Sequence, residues 1–156
     1  MRYWLFKSEP NVFGIHHLAK RLHQTEPWDG VRNYQARNFL RDDVQMGDLA
    51  FFYHSNCEPP GIVGVMSIVK TGYPDTTQFD PESRYYDPRA TREKPIWYRV
   101  DVKLEQSFPR LISLAELKSH PALQSLWILR RGNRLSITPL TQSEWQAIYV
   151  LATDGL

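Results

Sequence analysis

Two runs near the middle of the chain decide the fold: Leu49-Ala50-Phe51-Phe52-Tyr53-His54 and Gly61-Ile62-Val63-Gly64-Val65-Met66-Ser67-Ile68-Val69. Both are apolar, and rich in β-branched or aromatic residues. The polar, proline-containing stretch Ser55-Asn56-Cys57-Glu58-Pro59-Pro60 separates them, and Gly47-Asp48 marks a turn ahead of the first. Such runs bounded by turn residues read as strands, so a hairpin-like pair of buried strands is expected here. Outward from that pair, Asn33 is a good N-cap for a helix that turns Ala36, Phe39, Leu40 and Val44 inward and leaves Arg37 and Arg41 on a basic, polar side. Further upstream, Val12, Ile15, Ala19 and Leu22 recur at helical spacing and predict an amphipathic helix of about three turns. Tyr3 to Lys7 reads as a short buried strand closed off by Pro10.

Downstream, Tyr73 to Pro95 carries many Pro, Asp, Arg and Tyr residues without a sustained period and reads as a long ordered loop. Ile96 to Leu104 alternates with a period of two, the mark of a half-buried strand. Ser113 with Glu116, and Thr141 with Glu144, have capping-box spacing and predict two more helices. Leu135 to Pro139 fits a short closing strand, and Trp145, Ile148, Tyr149 and Ala152 give the last helix its buried stripe. Strands separated by unequal helices, without regular β-α-β alternation, point to a mixed, strongly curved sheet or small barrel with helices around it, an α+β class. No repeat, low-complexity tract or linker divides residues 1–156, so one domain is expected.

Composition narrows the function classes. Nineteen Lys and Arg against seventeen Asp and Glu leave a net charge of +2, too little for a chain-wide field that grips long duplexes. Aromatic content of 13%, with five Trp and eight Tyr, is high and calls for a use beyond the core. The single Cys57 has no partner for an internal disulfide or a Cys-x-x-Cys zinc site, which suits a reducing compartment, the cytoplasm being expected. The apolar run at the N-terminus is too short for a signal core or a membrane span. No glycine-rich dinucleotide or P-loop motif occurs, so no cofactor is expected, and no ligand spacing for a metal is present. His16 and His17 are adjacent and cannot share a helix face, while His54 and Cys57 lack a third orienting residue, so catalysis has thin support.

Pro27-Trp28-Asp29-Gly30-Val31-Arg32-Asn33-Tyr34-Gln35-Ala36-Arg37 sets a large ring on a rigid turn, with amides and guanidinium groups beside it. A ring so placed can stack on a flat ligand while amides read its edge and arginines attract phosphate. Each candidate also has a plain structural reading. Asn33 can simply cap a helix, Ser8-Glu9-Pro10 can start one, Ser55 and Asn56 are common turn residues, and Arg37 and Arg41 can be a solvated face. Trp4, Trp127 and Trp145 read as packing, Trp97 as either core or pocket wall, and Tyr85 and Tyr86 as candidates to cover an opening.

Tyr3 to Pro10, Trp28 to Asn38, Ser55-Asn56 with Pro59 to Gly64, Trp97 to Val102, and Arg131 to Ser136 follow one another in an order that resembles the EVE domain family across essentially the whole chain. The resemblance implies a PUA-like fold, a small mixed β-barrel with peripheral helices, related to YTH domains that read methylated adenine in RNA. It also implies a non-catalytic reader that takes a modified base of DNA or RNA into an aromatic-lined pocket. The residues it nominates are Lys7, Ser8, Trp28, Asn33, Tyr34, Ser55, Asn56 and Trp97 for the base, and Arg37, Arg41, Arg131 and Arg134 for phosphate. The expected partner is thus nucleic acid carrying a modified base, met by a monomer away from any membrane. A sensor of free nucleosides and an RNA-processing enzyme or accessory are the other readings. Replacing Trp28 by Ala is expected to abolish base binding and leave a folded domain.

Overall fold

The computed structural model describes residues 1–154. Its strands are β1 (Tyr3–Ser8), β2 (Thr25–Pro27), β3 (Leu49–His54), β4 (Gly61–Pro74), β5 (Tyr98–Ser113) and β6 (Ile137–Leu140). They form one mixed sheet in the order β2-β5-β4-β3-β1-β6. β3 and β4 are the antiparallel pair expected from the central runs, with Phe51 opposite Val65. β1 lies parallel to β3, with Phe6 opposite Phe52 and Ser8 opposite His54, and β6 closes antiparallel on the other side of β1. β4 and β5 are longer than their apolar cores suggested, and four register irregularities between them bend and twist the sheet. The ladder is open between β2 and β6, its two edges.

Side chains that alternate along the central strands divide the interior into two cores. Trp4, Phe6, Ala50, Phe52, Met66, Val100 and Val102 face one side, with Trp28, Val31, Ala36 and Leu40 packed on them. Leu5, Phe51, Tyr53, Ile62 and Ile112 face the other, covered by Leu117 of α4 (Leu114–Ser119) and by Trp145 and Ile148 of α5 (Gln142–Thr153). Phe51 and Trp145 stack with ring centroids 3.8 Å apart. Thr141 and Glu144 form a reciprocal capping box at the start of α5, as their spacing predicts. Tyr149 departs from the buried stripe: it is 37% exposed and donates to Gln106.

The segment after β1 also departs from expectation. Instead of three continuous turns it breaks at Gly14 into α1 (Pro10–Phe13) and α2 (Ile15–Ala19), followed by a 3-10 turn at Leu22–Gln24. A Cβ at residue 14 would stand 2.5 Å from the His16 ring, so the chain packs too tightly there for a side chain. The break rotates the buried face, leaving Leu18 fully buried while Leu22 is 81% exposed. The helix capped by Asn33, α3 (Tyr34–Asn38), behaves as read: Asn33 Oδ1 accepts from the Ala36 amide at 3.0 Å, and Ala36, Leu40 and Val44 are buried. The chain continues from α3 through a π-turn at Phe39–Asp43.

Candidate functional site: a cleft at the ends of two parallel strands

β1 and β3 run side by side and end together, and the Ser55 amide donates to the Ser8 carbonyl at 3.0 Å just past their ends. A cleft of roughly 730 Å³ opens there. The end of β1 supplies Lys7, Ser8 and Glu9, the chain after β3 supplies Ser55, and the residues before β6 supply Arg134 and Ser136. The Pro27–Asn33 turn forms one wall, and Arg84 with Tyr85, from the long loop between β4 and β5, forms part of another.

The turn is held rigidly from both ends. The Trp28 amide donates to Val100 O at 2.7 Å and the Gly30 amide to Asp75 Oδ2 at 2.9 Å. Gly30 has φ +81°, and a Cβ at that position would lie 2.5 Å from the Tyr85 ring, so glycine is needed for both conformation and space. Arg32 ties the turn to the loop: it donates to Tyr85 O at 2.8 Å and to Thr77 Oγ1 at 3.1 Å, and pairs with Asp75 Oδ2 at 3.1 Å. Its guanidinium also lies over the Trp97 and Tyr85 rings at 5.3 and 5.4 Å. Burial alone would push the Asp75 carboxyl up, but hydrogen bonds from Thr77 and the Gly30 amide, with Arg32 nearby, hold it below its ordinary value.

Trp28 lines the cleft and also belongs to the core. It is 5% exposed and meets Phe52 edge-on at 5.1 Å, Phe6 at 5.4 Å and Phe13 at 6.1 Å. The cleft charge is predominantly basic. Burial lowers the pKa of Lys7, whose ammonium lies 5.7 Å from the Tyr53 ring. Arg84 lies over the Tyr85 ring, and Arg134 is exposed at the rim. Three carboxylates share the space: Glu9 accepts from Asn56, Glu26 pairs with Arg21, and Asp29 faces Arg99 at 3.7 Å.

Of the residues nominated from sequence, Lys7, Ser8, Trp28, Asn33, Ser55 and Arg134 meet at this cleft, Asn33 with its side-chain oxygen already engaged as the helix cap. The others lie elsewhere. Tyr34 stacks on Trp97 at 4.9 Å outside the cleft wall, and Trp97, 3% exposed, donates its indole N–H to Asp87 at 2.9 Å as a core residue. Asn56, at φ +52°, is not in the cleft wall but donates from its amide to the cleft residue Glu9 at 3.0 Å. Arg37 donates to Ile96 O at 2.8 Å and covers Tyr34, while Arg41 pairs with Asp42 at 2.8 Å, so both serve local contacts. Arg131 is exposed beside Gly132 and does not reach the cleft. Conversely, Arg32, Arg84, Tyr85 and Asp29 line it without having been nominated as ligand contacts. Arg32 and Tyr85 are 53 residues apart, a juxtaposition that periodicity does not reveal.

The His54 and Cys57 pair does not have the features of an activated thiol. His54 Nε2 accepts from the Ile15 amide at 3.1 Å, and burial, with His16 and His17, lowers its pKa to about 4. Burial and Glu58 raise the Cys57 thiol instead of lowering it. Among the described residues no three His, Cys, Asp or Glu side chains converge as a metal site, and no helix is long and apolar enough to cross a membrane.

Human thymocyte nuclear protein 1 is 47% identical over 96% of this chain and 73% of its own length. A crystal structure of human THYN1 protein in complex with 5-methylcytosine-containing DNA superimposes with a TM-score of 0.92 at 44% identity, covering 100% of both chains. A Pseudomonas putida protein of known structure gives the same TM-score at 48% identity, covering 96% of this chain and 99% of that one. The α+β, PUA-like fold class therefore stands. The cytoplasmic placement does not: the relatives are named as nuclear proteins. A lone cysteine marks a reducing environment, which nucleus and cytoplasm share, and so cannot separate them. The family model for the EVE domain matches residues 2–151, and the chain belongs to the EVE domain family.

Proposed function

We propose that this chain is a non-catalytic binding module that takes one modified base of a nucleic acid, with 5-methylcytosine the first to test, into the cleft beside Trp28. One observation carries the reading: an aromatic-floored, basic-rimmed cleft lies in a domain 44% identical to a human protein crystallised with 5-methylcytosine-containing DNA. The base enters beside Trp28 and stacks on the Tyr85 ring, which takes the place in the aromatic cage expected of Trp97 from sequence. Only 5% of Trp28 is open, because Phe6, Phe13 and Phe52 pack on it, so the base meets its exposed margin and takes its stacking face from Tyr85. Lys7, Arg84 and Arg134 stand at the rim, where flanking phosphates pass. Such a module works as a monomer, since all the groups it uses come from one chain.

Stacking contributes about 1–3 kcal/mol per base, whereas one buried methyl adds about 0.8 kcal/mol, a few-fold preference. Affinity thus comes mainly from the rings and phosphates, and the methyl contributes selectivity. Anisotropy titrations with oligonucleotides carrying 5-methylcytosine or cytosine at one position test this. A several-fold preference for the methylated strand, lost with affinity in Tyr85→Ala, is expected. Equal affinity for both strands would refute the reader, and binding of the free nucleoside with no gain from phosphates would favour a nucleoside sensor.

A further inference from the structure

A methyl contact cannot by itself identify 5-methylcytosine, because thymine carries the same methyl at the same ring position. The two bases differ at position 4, where cytosine presents an amino donor and thymine a carbonyl acceptor. A reader of the methylated base therefore needs an acceptor-only group facing that edge. Resting on the reading above, we propose that the Asp29 side chain is that group: its carboxylate accepts a hydrogen bond from the 4-amino group of the inserted cytosine and repels the 4-oxo group of thymine.

Asp29 is singled out among the three cleft carboxylates. Glu26 is taken up by Arg21, and Glu9 Oε1 accepts from Asn56 at 3.0 Å. Asp29 Oδ2 stands 3.7 Å from Arg99, beyond hydrogen-bond range, and among the described residues no donor of another residue fills it. Arg99 supplies charge without occupying the lone pairs, and so opposes the protonation that burial and Asp75 favour. Placement is equally specific. Asp29 directly follows Trp28 and lines the same cleft. Both neighbours are pinned, through Trp28 N to Val100 O and Gly30 N to Asp75 Oδ2, so the backbone that carries the acceptor is set before the ligand arrives. Burial and the nearby Asp75 push the Asp29 carboxyl up, while Arg99 opposes them. The net direction is upward, so this carboxyl gains a proton, and with it a donor able to satisfy thymine, more readily than an unperturbed aspartate does.

Competition titrations at neutral pH should use oligonucleotides identical except for one position: 5-methylcytosine, thymine, or a 5-methylpyrimidinone lacking the 4-amino group. The wild-type chain should prefer 5-methylcytosine over thymine by roughly 10- to 100-fold, with the pyrimidinone in between. Asp29→Asn, whose amide offers both donor and acceptor, should bring the cytosine-to-thymine ratio to within about three-fold of unity. An Asn variant that keeps the full ratio overturns the role of Asp29 and leaves the base reader intact. A wild-type chain that binds none of the strands overturns both. The pyrimidinone series needs no variant, so a misfolded Asp29→Asn leaves it decisive: a pyrimidinone bound as tightly as 5-methylcytosine overturns the proposed hydrogen bond.

Discussion

Trp28 serves the core and the cleft at once, and this changes what its removal does. At 5% exposure, against Phe6, Phe13 and Phe52, it is a core side chain by area, so Trp28→Ala does not leave the intact domain expected from a ring on an open turn. The variant should lose about 3–5 kcal/mol of stability, measurable by urea denaturation, together with any base binding. Unchanged stability would show that the indole packs less tightly than these distances imply. Gly30 is a more selective probe. Alanine at φ +81° costs about 1 kcal/mol, and its methyl must displace the Tyr85 ring. Gly30→Ala should therefore stay folded while altering affinity for oligonucleotides, whichever way the displaced ring moves; an unchanged affinity would remove Tyr85 from the binding surface.

The loop between β4 and β5 is built like a folded element. Gln78, fully buried, accepts from the Ile96 and Trp97 amides at 2.9 Å each and donates to the Asp75 and Trp97 carbonyls at 2.7 and 2.8 Å. Gln78→Ala leaves the Ile96 and Trp97 amides without that acceptor, at about 1–3 kcal/mol for each one, while the Asp75 and Trp97 carbonyls keep the Gln78 and Asp75 backbone amides. Hydrogen exchange should show the loop from Asp75 to Trp97 opening well before β3 and β4; uniform exchange would argue against a local anchor. The turn at Gly14 has its own switch. His54 in the fold resists protonation until about pH 4, whereas the unfolded chain accepts that proton near 6.5. Stability is then full above pH 6.5 and falls as pH drops toward 4, by about 2–3 kcal/mol. Denaturant midpoints across that window should slope in the wild type and flatten in His54→Gln, which keeps an acceptor for Ile15.

What the sequence disclosed follows from the range of the forces involved. The β3–β4 pair, the Asn33 cap and the Thr141 box are decided by neighbours within a few residues and were legible. The α1–α2 segment departs from the three-turn expectation because Gly14 is extended and its amide donates to the His17 ring at 2.8 Å, a local bond that a hydrophobic period does not encode. The cleft was half legible: Lys7, Ser8, Trp28 and Ser55 sit in short motifs, while Arg32 and Tyr85 meet only through the fold. Trp97 packs inward because the buried Asp87 carboxylate takes its indole proton, and Tyr34, 50% exposed, stacks on it away from the cleft.

Taken whole, the molecule carries little net charge, +2, and places Lys7, Arg84 and Arg134 together at the rim of the cleft. Each phosphate neutralised at that rim should contribute a slope of about −0.7 in log affinity against log salt for a single strand. The three rim cations Lys7, Arg84 and Arg134 thus predict a slope near −2, with Arg134→Ala reducing it by about 0.7 and Arg131→Ala leaving it alone. A flat salt profile would exclude phosphate contact. The cleft's walls also come from stretches far apart in the chain, among them the end of β1, the turn at Pro27–Asn33, Ser55 after β3, Arg84–Tyr85, and the residues before β6. No fragment holds them all, so an occupant clamps distant parts of the polypeptide together and must melt with the entire domain. Calorimetric heating of the protein with candidate nucleosides or strands would then register even a weak occupant as a raised melting temperature, since saturation to 100 times Kd is worth about 2.7 kcal/mol.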